Sequence, residues 1–562
     1  MYWIILLCVC VARAQNGISV NTTQGVIIGS VVDGNVIAFH GIPYAGSTSG
    51  ENRFKAPTPA PSFTGEYHAI ENNVICAHPS PRGLIGVEDC LRLSIFTKNV
   101  TTPKPVLVFI QGEDFESWNS APYSYTGFVQ SDLVVVTLNY RLSIFGFLCL
   151  GVADAPGNAG LRDVVQGLKW IRENIAGFGG NPNNVVLLGH GSGAAIVDLI
   201  TLSPLATGLV HKAIALSGSG LAPWAVAYDP VGHAHAVGDK LSYDGKDGEE
   251  LAKLLAATEL KVLESALRDF EFPNNTVLFG PCVENIELNP NDTFLADAPI
   301  NLLRSRNYSD IPYIGGYTNR EGSIRAEEAA FRNWLAQMQA NFSNFIQLDL
   351  NFDKATNKTD IINSIRDFYF SQRNINMETI EDYLDYIGDT TILVQVNRNV
   401  RERALTSSSP VRSFEFAYRG THNSDWPYPQ IPLTGAKHGA ILNYLFDFDL
   451  KISDNDVRNT LIKRFTAFAY TGDPNPANES FTNWLPIEGQ VPYMLYIGGE
   501  EIAVNQTTFT QELRTTLNQK EIQFWEQLYN DYYVPPKPIS SAGQLLSVTL
   551  TILFSQIIHR LF

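Results

Sequence analysis

An apolar run followed directly by a glycine-rich turn occupies residues 185–195, which read VVLLGHGSGAA. An uninterrupted run such as residues 185–188 is typical of a strand buried on both faces of a parallel sheet. The glycines at 189, 191 and 193 permit a tight turn, and the small residues after them open a helix. The stretch therefore predicts a buried strand, a sharp turn and a helix.

The preceding residues extend this pattern. Apolar runs at 106–110 and 133–136 predict two further buried strands. A segment of helical period follows, with an apolar face made of Leu161, Val164, Val165, Leu168, Ile171 and Ile175. Strand, helix and strand at this spacing indicate a βαβ unit, and hence an α/β fold with a large, mostly parallel central sheet flanked by helices.

The composition excludes several classes of protein. The chain has 562 residues, of which 45% are apolar and 17% charged, and its formal net charge is −17. The apolar fraction is too high for a disordered chain, and the acidic balance argues against a nucleic-acid partner. No stretch between residues 15 and 534 is typical of a linker, so we expect one domain with long insertions.

The first fourteen residues form an expected signal peptide. Residues 2–11 are apolar, and the A-x-A sequence at 12–14 precedes Gln15, although no positively charged region comes first. An uncleaved membrane anchor is the alternative, but ten apolar residues are too few to span a bilayer. We therefore expect an extracellular protein.

The C-terminal residues 535–562 are predicted to form a tail. A proline-rich stretch at 535–538 is followed by small residues at 540–543 and by a largely apolar run at 545–558. This order is similar to a GPI-attachment signal, although the usual polar spacer is missing. A short membrane span and a buried terminal helix remain alternatives. We expect attachment to the extracellular face of the plasma membrane, with secretion as the second choice.

Glycosylation sequons support this localisation. Nine N-x-S/T sequences are spread along the chain, which is more than chance requires and is typical of a glycosylated surface. Their asparagines are Asn21, Asn99, Asn274, Asn291, Asn307, Asn341, Asn357, Asn478 and Asn505.

Four cysteines remain after the expected signal peptide. Cys76 and Cys90 are separated by a short loop that contains proline and glycine, and we predict a disulfide between them. Cys149 and Cys282 could pair or could be two buried thiols, and the sequence leaves this open.

The surrounding chain resembles the type-B carboxylesterase/cholinesterase family, whose members have the α/β-hydrolase fold. The resemblance runs from about residue 18 to about residue 530 and rests on many ordered motifs. They are GIPYA (41–45), EDCL (88–91), NYR (139–141), FGFL (145–148), APGN (155–158), NIAGFGGNP (174–182) and GHGSG (189–193).

The resemblance implies acyl transfer by a serine, a histidine and an acid, and only two of the three are present. The NREGS segment (319–323) places Glu321 at the acid position, and GAKHG (435–439) places His438 at the base position. Alignment of the motif glycines places Gly191 at the nucleophile position, where no side chain can be acylated. A buried acid–histidine pair also has a purely structural explanation.

The oxyanion hole implied by the family departs from its pattern as well. The family sequence H-G-G-G-F corresponds here to QGEDF (111–115), so Glu113 and Asp114 replace two glycines, and Ser192 occupies the third position. Two carboxylates are expected to hinder the approach of the backbone to a substrate and to repel an oxyanion. We therefore expect negligible esterase turnover and no cofactor.

Lost nucleophiles also occur in the family's adhesion members, which include neuroligin, neurotactin, gliotactin and glutactin. The resemblance to them predicts an inactive surface glycoprotein that binds an extracellular protein partner. The alternatives are an esterase with a rearranged site, using Ser192 or the His438–Glu321 pair, and sequestration of a hydrophobic ligand. In the last case, Glu113 and Asp114 would favour amines.

Two further features of the sequence concern the oligomeric state and metal binding. The apolar face of residues 515–530 makes a homodimer plausible, although packing against the chain's own sheet explains the face as well. His233 and His235 could be half of a metal site, but no third ligand accompanies them, and we interpret both as positions on a surface helix.

Overall fold

A computed structural model gives the architecture of the chain. It describes residues 17–539 except 33–34, 113, 118–122, 354, 421–425, 432, 447–453, 478, 489–492, 500, 504–505 and 516–518. The expected signal peptide (1–14), Glu113, Asn478, Asn505 and most of the expected tail lie outside the described residues.

Strands occur along the whole described chain. They are β1 (Ile18–Thr22), β2 (Gly25–Val32), β3 (Val36–Pro43), β4 (Tyr67–His68), β5 (His78–Ser80), β6 (Gly83–Ile85), β7 (Arg92–Thr97), β8 (Lys104–Ile110), β9 (Val134–Leu138), β10 (Gly180–His190), β11 (Lys212–Leu216), β12 (Tyr313–Thr318), β13 (Val411–Phe416), β14 (Met494–Gly498), β15 (Glu501–Ala503), β16 (Gln506–Thr507) and β17 (Thr510–Arg514).

Helices connect most of the later strands. They are α1 (Thr126–Gln130), α2 (Ser143–Phe147), α3 (Ala159–Asn174), α4 (Ser192–Leu202), α5 (Pro230–Lys240), α6 (Gly248–Ala257), α7 (Leu260–Ala266), α8 (Pro299–Arg304), α9 (Ala326–Phe331), α10 (Trp334–Ala340), α11 (Lys358–Phe370), α12 (Ile380–Gly388), α13 (Val394–Thr406), α14 (Ala440–Leu445), α15 (Asn455–Thr471) and α16 (Gln519–Tyr532).

Thirteen of the described strands form one mixed sheet. Its order is β1-β2-β3-β7-β9-β8-β10-β11-β12-β13-β14-β17, with β4 paired to β2. The seven strands from β9 to β14 in this order are parallel, and antiparallel strands flank them on both sides. The predicted strands at 106–110, 133–136 and 185–188 are confirmed as β8, β9 and β10, and the predicted helix is α3.

The two faces of the parallel strands carry separate layers of the core. Val106, Val108 and Ile110 of β8 pack in one cluster with residues of α3 and α4. Leu107 and Phe109 of the same strand pack in a second cluster with residues of α14 and α15. Alternate residues of a strand face opposite sides of a sheet, so burial on both sides explains why the sequence of β8 is continuously apolar.

Two disulfides join described residues. The predicted bridge between Cys76 and Cys90 is confirmed, with Cα atoms 4.9 Å apart. Cys149 and Cys282, which the sequence left open, also form a disulfide, with Cα atoms 6.7 Å apart. Because this second bridge closes a sequence separation of 133 residues, it ties the chain after β9 to the segment before β12.

The described sequons lie where glycans can be carried. Asn21, Asn291, Asn307, Asn341 and Asn357 are exposed. Asn99 and Asn274 are half-buried. Glycosylation at these seven asparagines, and at Asn478 and Asn505 outside the described residues, stays a prediction.

The end of the described chain packs on the fold. Val534 donates its amide to the carbonyl oxygen of Asp349, and Ile539 donates its amide to that of Val283. The first residues of the expected tail, 535–539, are therefore docked on the body. Among the described helices, none is long and apolar enough to cross a membrane, and residues 540–562 are not described.

The surface position expected for His233 is wrong, and the packing alternative stated for the helix at residues 515–530 is supported. His233 is buried rather than at the surface, and its Nδ1 atom lies 3.0 Å from the carbonyl oxygen of Leu278. In α16, Trp525 and Leu528 are buried within the chain's own core. Packing inside one chain thus accounts for much of that apolar face, and a homodimer stays a prediction.

Removal of the long-range disulfide should destabilise the protein more than removal of the short one. Loop-closure entropy gives about 5 kcal/mol for the Cys149–Cys282 bridge and about 3 kcal/mol for the Cys76–Cys90 bridge. Melting temperatures of the Cys149→Ala/Cys282→Ala and Cys76→Ala/Cys90→Ala double variants measure the difference. Equal melting temperatures of the first variant and the wild type would contradict the pairing.

Candidate functional site

The turn between β10 and α4 presents Gly191 at the carboxyl edge of the sheet. Gly191 has φ 58° and ψ −125°, and its amide donates to the carbonyl oxygen of Leu216 on the neighbouring strand. A left-handed φ is strained for a side-chain-bearing residue, so glycine suits the position. Gly193 is required for a different reason, because a Cβ atom there would overlap the carbonyl oxygen of Ile110 on β8.

Space for a side chain at position 191 is nevertheless present. A Cβ atom placed on Gly191 would have Nε2 of His438 as its neighbour, at 3.8 Å, and no other described atom within 4 Å. The turn thus retains the geometry of a nucleophile elbow, and the histidine faces it. The alignment of Gly191 with the nucleophile position agrees with this geometry.

Glu321 and His438 form a hydrogen-bonded pair. Oε2 of Glu321 lies 2.5 Å from Nδ1 of His438, and Oε1 accepts from the amide of Thr318 at 2.6 Å. The Glu321 side chain is 2% exposed and that of His438 16%. The carboxylate orients the ring and fixes the proton on Nδ1, so Nε2 points toward position 191.

The loops that carry this pair are fastened to each other. Glu321 begins a short 3₁₀ helix that follows β12. The amide of His438 donates to Oγ of Ser323 at 2.8 Å, and that of Ala436 donates to Oδ1 of Asn319 at 2.8 Å. The amide of Arg320 donates to the carbonyl oxygen of Ala436. These hydrogen bonds hold together two loops that are more than one hundred residues apart in sequence.

Ser192 is hydrogen-bonded to the loop after β8. Its Oγ accepts a hydrogen bond from the amide of Phe115 at 3.2 Å, and the residue is 1% exposed. A Cβ atom placed on Gly112 would also lie 2.7 Å from this Oγ, so the hydroxyl is directed toward the loop after β8. Ser192 therefore supports that loop and is poorly placed to replace the missing nucleophile.

Asp114 lies in the loop after β8, close to the elbow. Its carboxylate faces Arg325, a residue that the sequence did not indicate. Asp114 and Phe115 both have left-handed φ values, 53° and 61°. The Asp114 side chain is 45% exposed, and Oδ2 lies 3.8 Å from a guanidinium nitrogen of Arg325. The negative charge expected at Asp114 is therefore partly neutralised by the positive charge of Arg325. Arg325 stands four residues after Glu321, which is the signal that could have revealed it.

His190 immediately precedes Gly191, and its residue type alone indicates no role in the family reaction. Its ring centroid lies 4.6 Å from that of His438. Burial, and then the charge of His438, lower the pKa of His190 well below its usual value of 6.5. His190 is therefore an uncharged imidazole at neutral pH.

These residues line a cavity of about 500 Å³. Its lining combines the elbow, the histidines and apolar side chains from strand β8, from α14 and from the segments between strands. The apolar lining residues are Phe109, Trp224, Val277, Ile324, Ile392 and Leu442. Among the described residues, no group of three or more histidine, cysteine, aspartate and glutamate side chains could hold a metal ion.

Substitution Ser192→Ala should affect stability and leave reactivity unchanged. The amide of Phe115 would lose its buried acceptor, which costs about 1–3 kcal/mol. We expect a lower melting temperature and no difference in reaction with a fluorophosphonate, read by intact mass. A fluorophosphonate adduct on wild-type Ser192 would contradict this assignment.

Acidification should destabilise the protein through His190. The folded state keeps this imidazole neutral, whereas the unfolded chain takes up a proton as the pH falls below 6.5. Stability is therefore lost toward low pH. Between about pH 8 and about pH 5, the melting temperature of the wild type should fall further than that of His190→Gln. If the melting temperatures of the two proteins fall by the same amount over this pH range, His190 does not contribute to the pH dependence of stability.

Comparisons with known proteins identify the family of the chain. The model of the carboxylesterase family matches residues 16–525. Venom carboxylesterase-6 of Apis mellifera is 28% identical over 519 residues, covering 87% of this chain and 90% of the relative. Bile salt-activated lipase of Rattus norvegicus is 30% identical over 543 residues, covering 90% of this chain and 83% of the relative.

A solved structure supports the same conclusion. The juvenile hormone esterase of Manduca sexta, with OTFP covalently attached, superposes with a TM-score of 0.80 at 25% identity. The match covers 92% of this chain and all of the esterase chain. With an α/β-hydrolase sheet, an elbow at the end of β10 and a family match over nearly its whole length, the chain belongs to the carboxylesterase family.

Proposed function

We propose that this protein is a non-hydrolysing member of the carboxylesterase family that acts at the extracellular face of the plasma membrane by binding. The observation that carries the proposal is Gly191, which stands opposite Nε2 of His438 where the family reaction needs a hydroxyl. The acid–histidine pair remains, but it has no side chain at the elbow to activate.

The expected reductions in kcat favour loss of ester hydrolysis over weak hydrolysis. Removal of the nucleophile from a serine-hydrolase triad costs about 10⁶ in kcat. Removal of one oxyanion donor costs about 10²–10³, and Asp114 stands where the family has an oxyanion-hole glycine. The alternative nucleophile, Ser192, is bonded to the amide of Phe115. The chain therefore lacks the nucleophile and an oxyanion-hole glycine that ordinary ester hydrolysis requires.

A surface role follows from the sequence features at both ends and from the sequons. The expected signal peptide and apolar tail favour attachment outside the cell. The seven described sequon asparagines are exposed or half-buried. The protein partner expected from the likeness to neuroligin-type adhesion members is part of this proposal, and so is the homodimer.

Ligand binding in the cavity is the second candidate function. The cavity of about 500 Å³ next to Gly191 has the size of a small-molecule site and a lining in which polar and apolar side chains are mixed. A family member that keeps this cavity but lacks the nucleophile could hold a ligand without converting it. This candidate and a surface role are compatible with each other.

The substitution Gly191→Ser tests the proposed function. We expect no fluorophosphonate adduct on the wild type and an adduct on the introduced serine, because a side chain at 191 has room and faces His438. The adduct should form slowly, since the residue at 114 is not glycine. Intact mass and peptide mass spectrometry of the full-length glycosylated protein give the result.

Two controls make the result specific. Gly50 also has a left-handed φ, 62°, and a Cβ atom there would meet no described atom within 4 Å, so Gly50→Ser reproduces the backbone strain without the site. Gly191→Ser combined with His438→Ala should lose the adduct. Labelling of the wild type, or ester turnover that His438→Ala abolishes, would refute the proposal.

A further inference from the structure

The last described residues, 533–539, lie across the body of the fold and are called the strap below. The amide of Val534 donates to the carbonyl oxygen of Asp349 at 2.9 Å. The carbonyl oxygen of Val534 accepts from the hydroxyl of Tyr228 at 3.0 Å, and Pro536 is buried. The strap is therefore docked on the body by its backbone and by an apolar contact.

The side chain of Asp349 lies beneath the strap. It is 0% exposed, and neither carboxylate oxygen meets hydrogen-bond geometry with another described residue, although the Tyr529 hydroxyl of α16 is close. Burial raises the pKa of Asp349 to about 6, against the lowering effects of the Arg398 charge and of that hydroxyl. A carboxyl group that is fastened under the strap thus changes its charge at mildly acidic pH.

The positive charge of Arg398 in α13 is shared among several groups. Its guanidinium lies over the rings of Tyr529 and Tyr533, at 3.9 and 4.7 Å from their centroids. It also donates to Oε1 of Gln395 at 2.8 Å. Arg398 therefore offsets the charge of Asp349 only in part, and a buried carboxylate that is incompletely paired is costly.

The tyrosines around Asp349 keep their protons at physiological pH. Burial, and then the charge of Asp349, raise the pKa values of Tyr228 and Tyr529 well above 10. Burial raises the pKa of Tyr533 to about 12, although the charges of Arg398 and Arg304 lower it. Among the described groups around it, Asp349 is therefore the one that titrates between about pH 5 and about pH 8.

Docking of the strap and protonation of Asp349 favour each other. Tyr533 belongs to the strap and Tyr228 is bonded to it, so release of the strap lets water reach the carboxyl group. Its pKa then returns toward the ordinary value of 3.8. A group whose pKa is higher in the docked state stabilises docking at low pH, and this stabilisation is lost as the pH rises through about 6.

We propose that the strap is an acid-tightened latch, which is held against the body in an acidic compartment and is released more readily at the neutral cell surface. The latch does not rest on the loss of hydrolysis, because none of the described residues around Asp349 is part of the cavity lining. With the C-terminal attachment proposed above, release adds the seven residues of the strap to the tether. The body could then stand farther from the membrane by at most about 25 Å.

Hydrogen exchange read by mass spectrometry tests the latch on the full-length glycosylated protein. Protection of peptides that cover residues 530–539, corrected for the intrinsic exchange rate, would be compared at about pH 7.5 and about pH 5. We expect about tenfold greater protection at the lower pH, which follows from a pKa that falls from about 6 to 3.8 on release. His190 has the opposite effect on global stability, so the readout has to be local.

Matched variants assign the effect to Asp349. Asp349→Asn should remove the tenfold difference, because its side chain is neutral at both pH values. Asp389→Asn is the control, since Asp389 is another buried aspartate, whose carboxylate accepts from the Tyr369 hydroxyl at 2.7 Å, and it should keep the difference. If Asp349→Asn fails to fold, as judged by its melting temperature, Arg398→Gln gives the test. Loss of that positive charge should move the midpoint of the pH dependence above about pH 6.

Several results would overturn the latch. They are equal protection of the strap at the two pH values, weaker protection at the lower pH, a tenfold difference that persists in a folded Asp349→Asn variant, and an unchanged midpoint in Arg398→Gln. Each of these results leaves the proposed function standing, whereas a fluorophosphonate adduct on the wild type refutes the proposed function and leaves the latch unaffected.

Discussion

The rest of the site depends on one constraint, which is a close approach between backbones at the carboxyl edge of the sheet. There the turn from β10 into α4 lies against the end of β8. The backbone at Gly193 lies so near the carbonyl oxygen of Ile110 that a Cβ atom would overlap it. Gly191 can then take the left-handed turn that brings the end of β10 beneath His438. Without this approach, the elbow, the loop after β8 and the histidine loop would not face one cavity.

Under the proposed function, the chain keeps the elbow and its supporting contacts but does not carry out the family reaction. The Glu321–His438 pair is held in place by hydrogen bonds from the backbone amides of the loop before α14 to the side-chain oxygens of Ser323 and Asn319 in the loop after β12. Those contacts also tie two long insertions together, so they have structural value whether or not a reaction follows. A family member that has lost the serine can therefore keep the acid and the histidine, and their presence is weak evidence for turnover.

The electrostatics of the cavity depend on residues that are distant in sequence. Asp114 follows β8, Arg325 follows β12, and Glu328 lies in the first turn of α9, yet both carboxylates lie near the guanidinium group of Arg325. The carboxylates at 113 and 114 alone suggest an anionic pocket, and Arg325 offsets the one that the structure describes. Nε of the same guanidinium also donates to Oδ1 of Asn275 at 2.9 Å, so this charge reaches the buried polar side chains of the cavity.

The sequence by itself determined the fold class, the strands β8, β9 and β10, helix α3, the Cys76–Cys90 bridge and the positions Gly191, Glu321 and His438. The fold class, strands and helix follow from local periodicity and the bridge from a short loop, which are properties of neighbouring residues, whereas the three positions follow from motifs that resemble those of the family. Only the tertiary structure decided the Cys149–Cys282 bridge, the direction of Ser192 toward Phe115, and the meeting of Arg325 with Asp114. Each of these joins segments separated by tens to hundreds of residues, and the crossover of strands in the sheet, which no local pattern encodes, sets their distance.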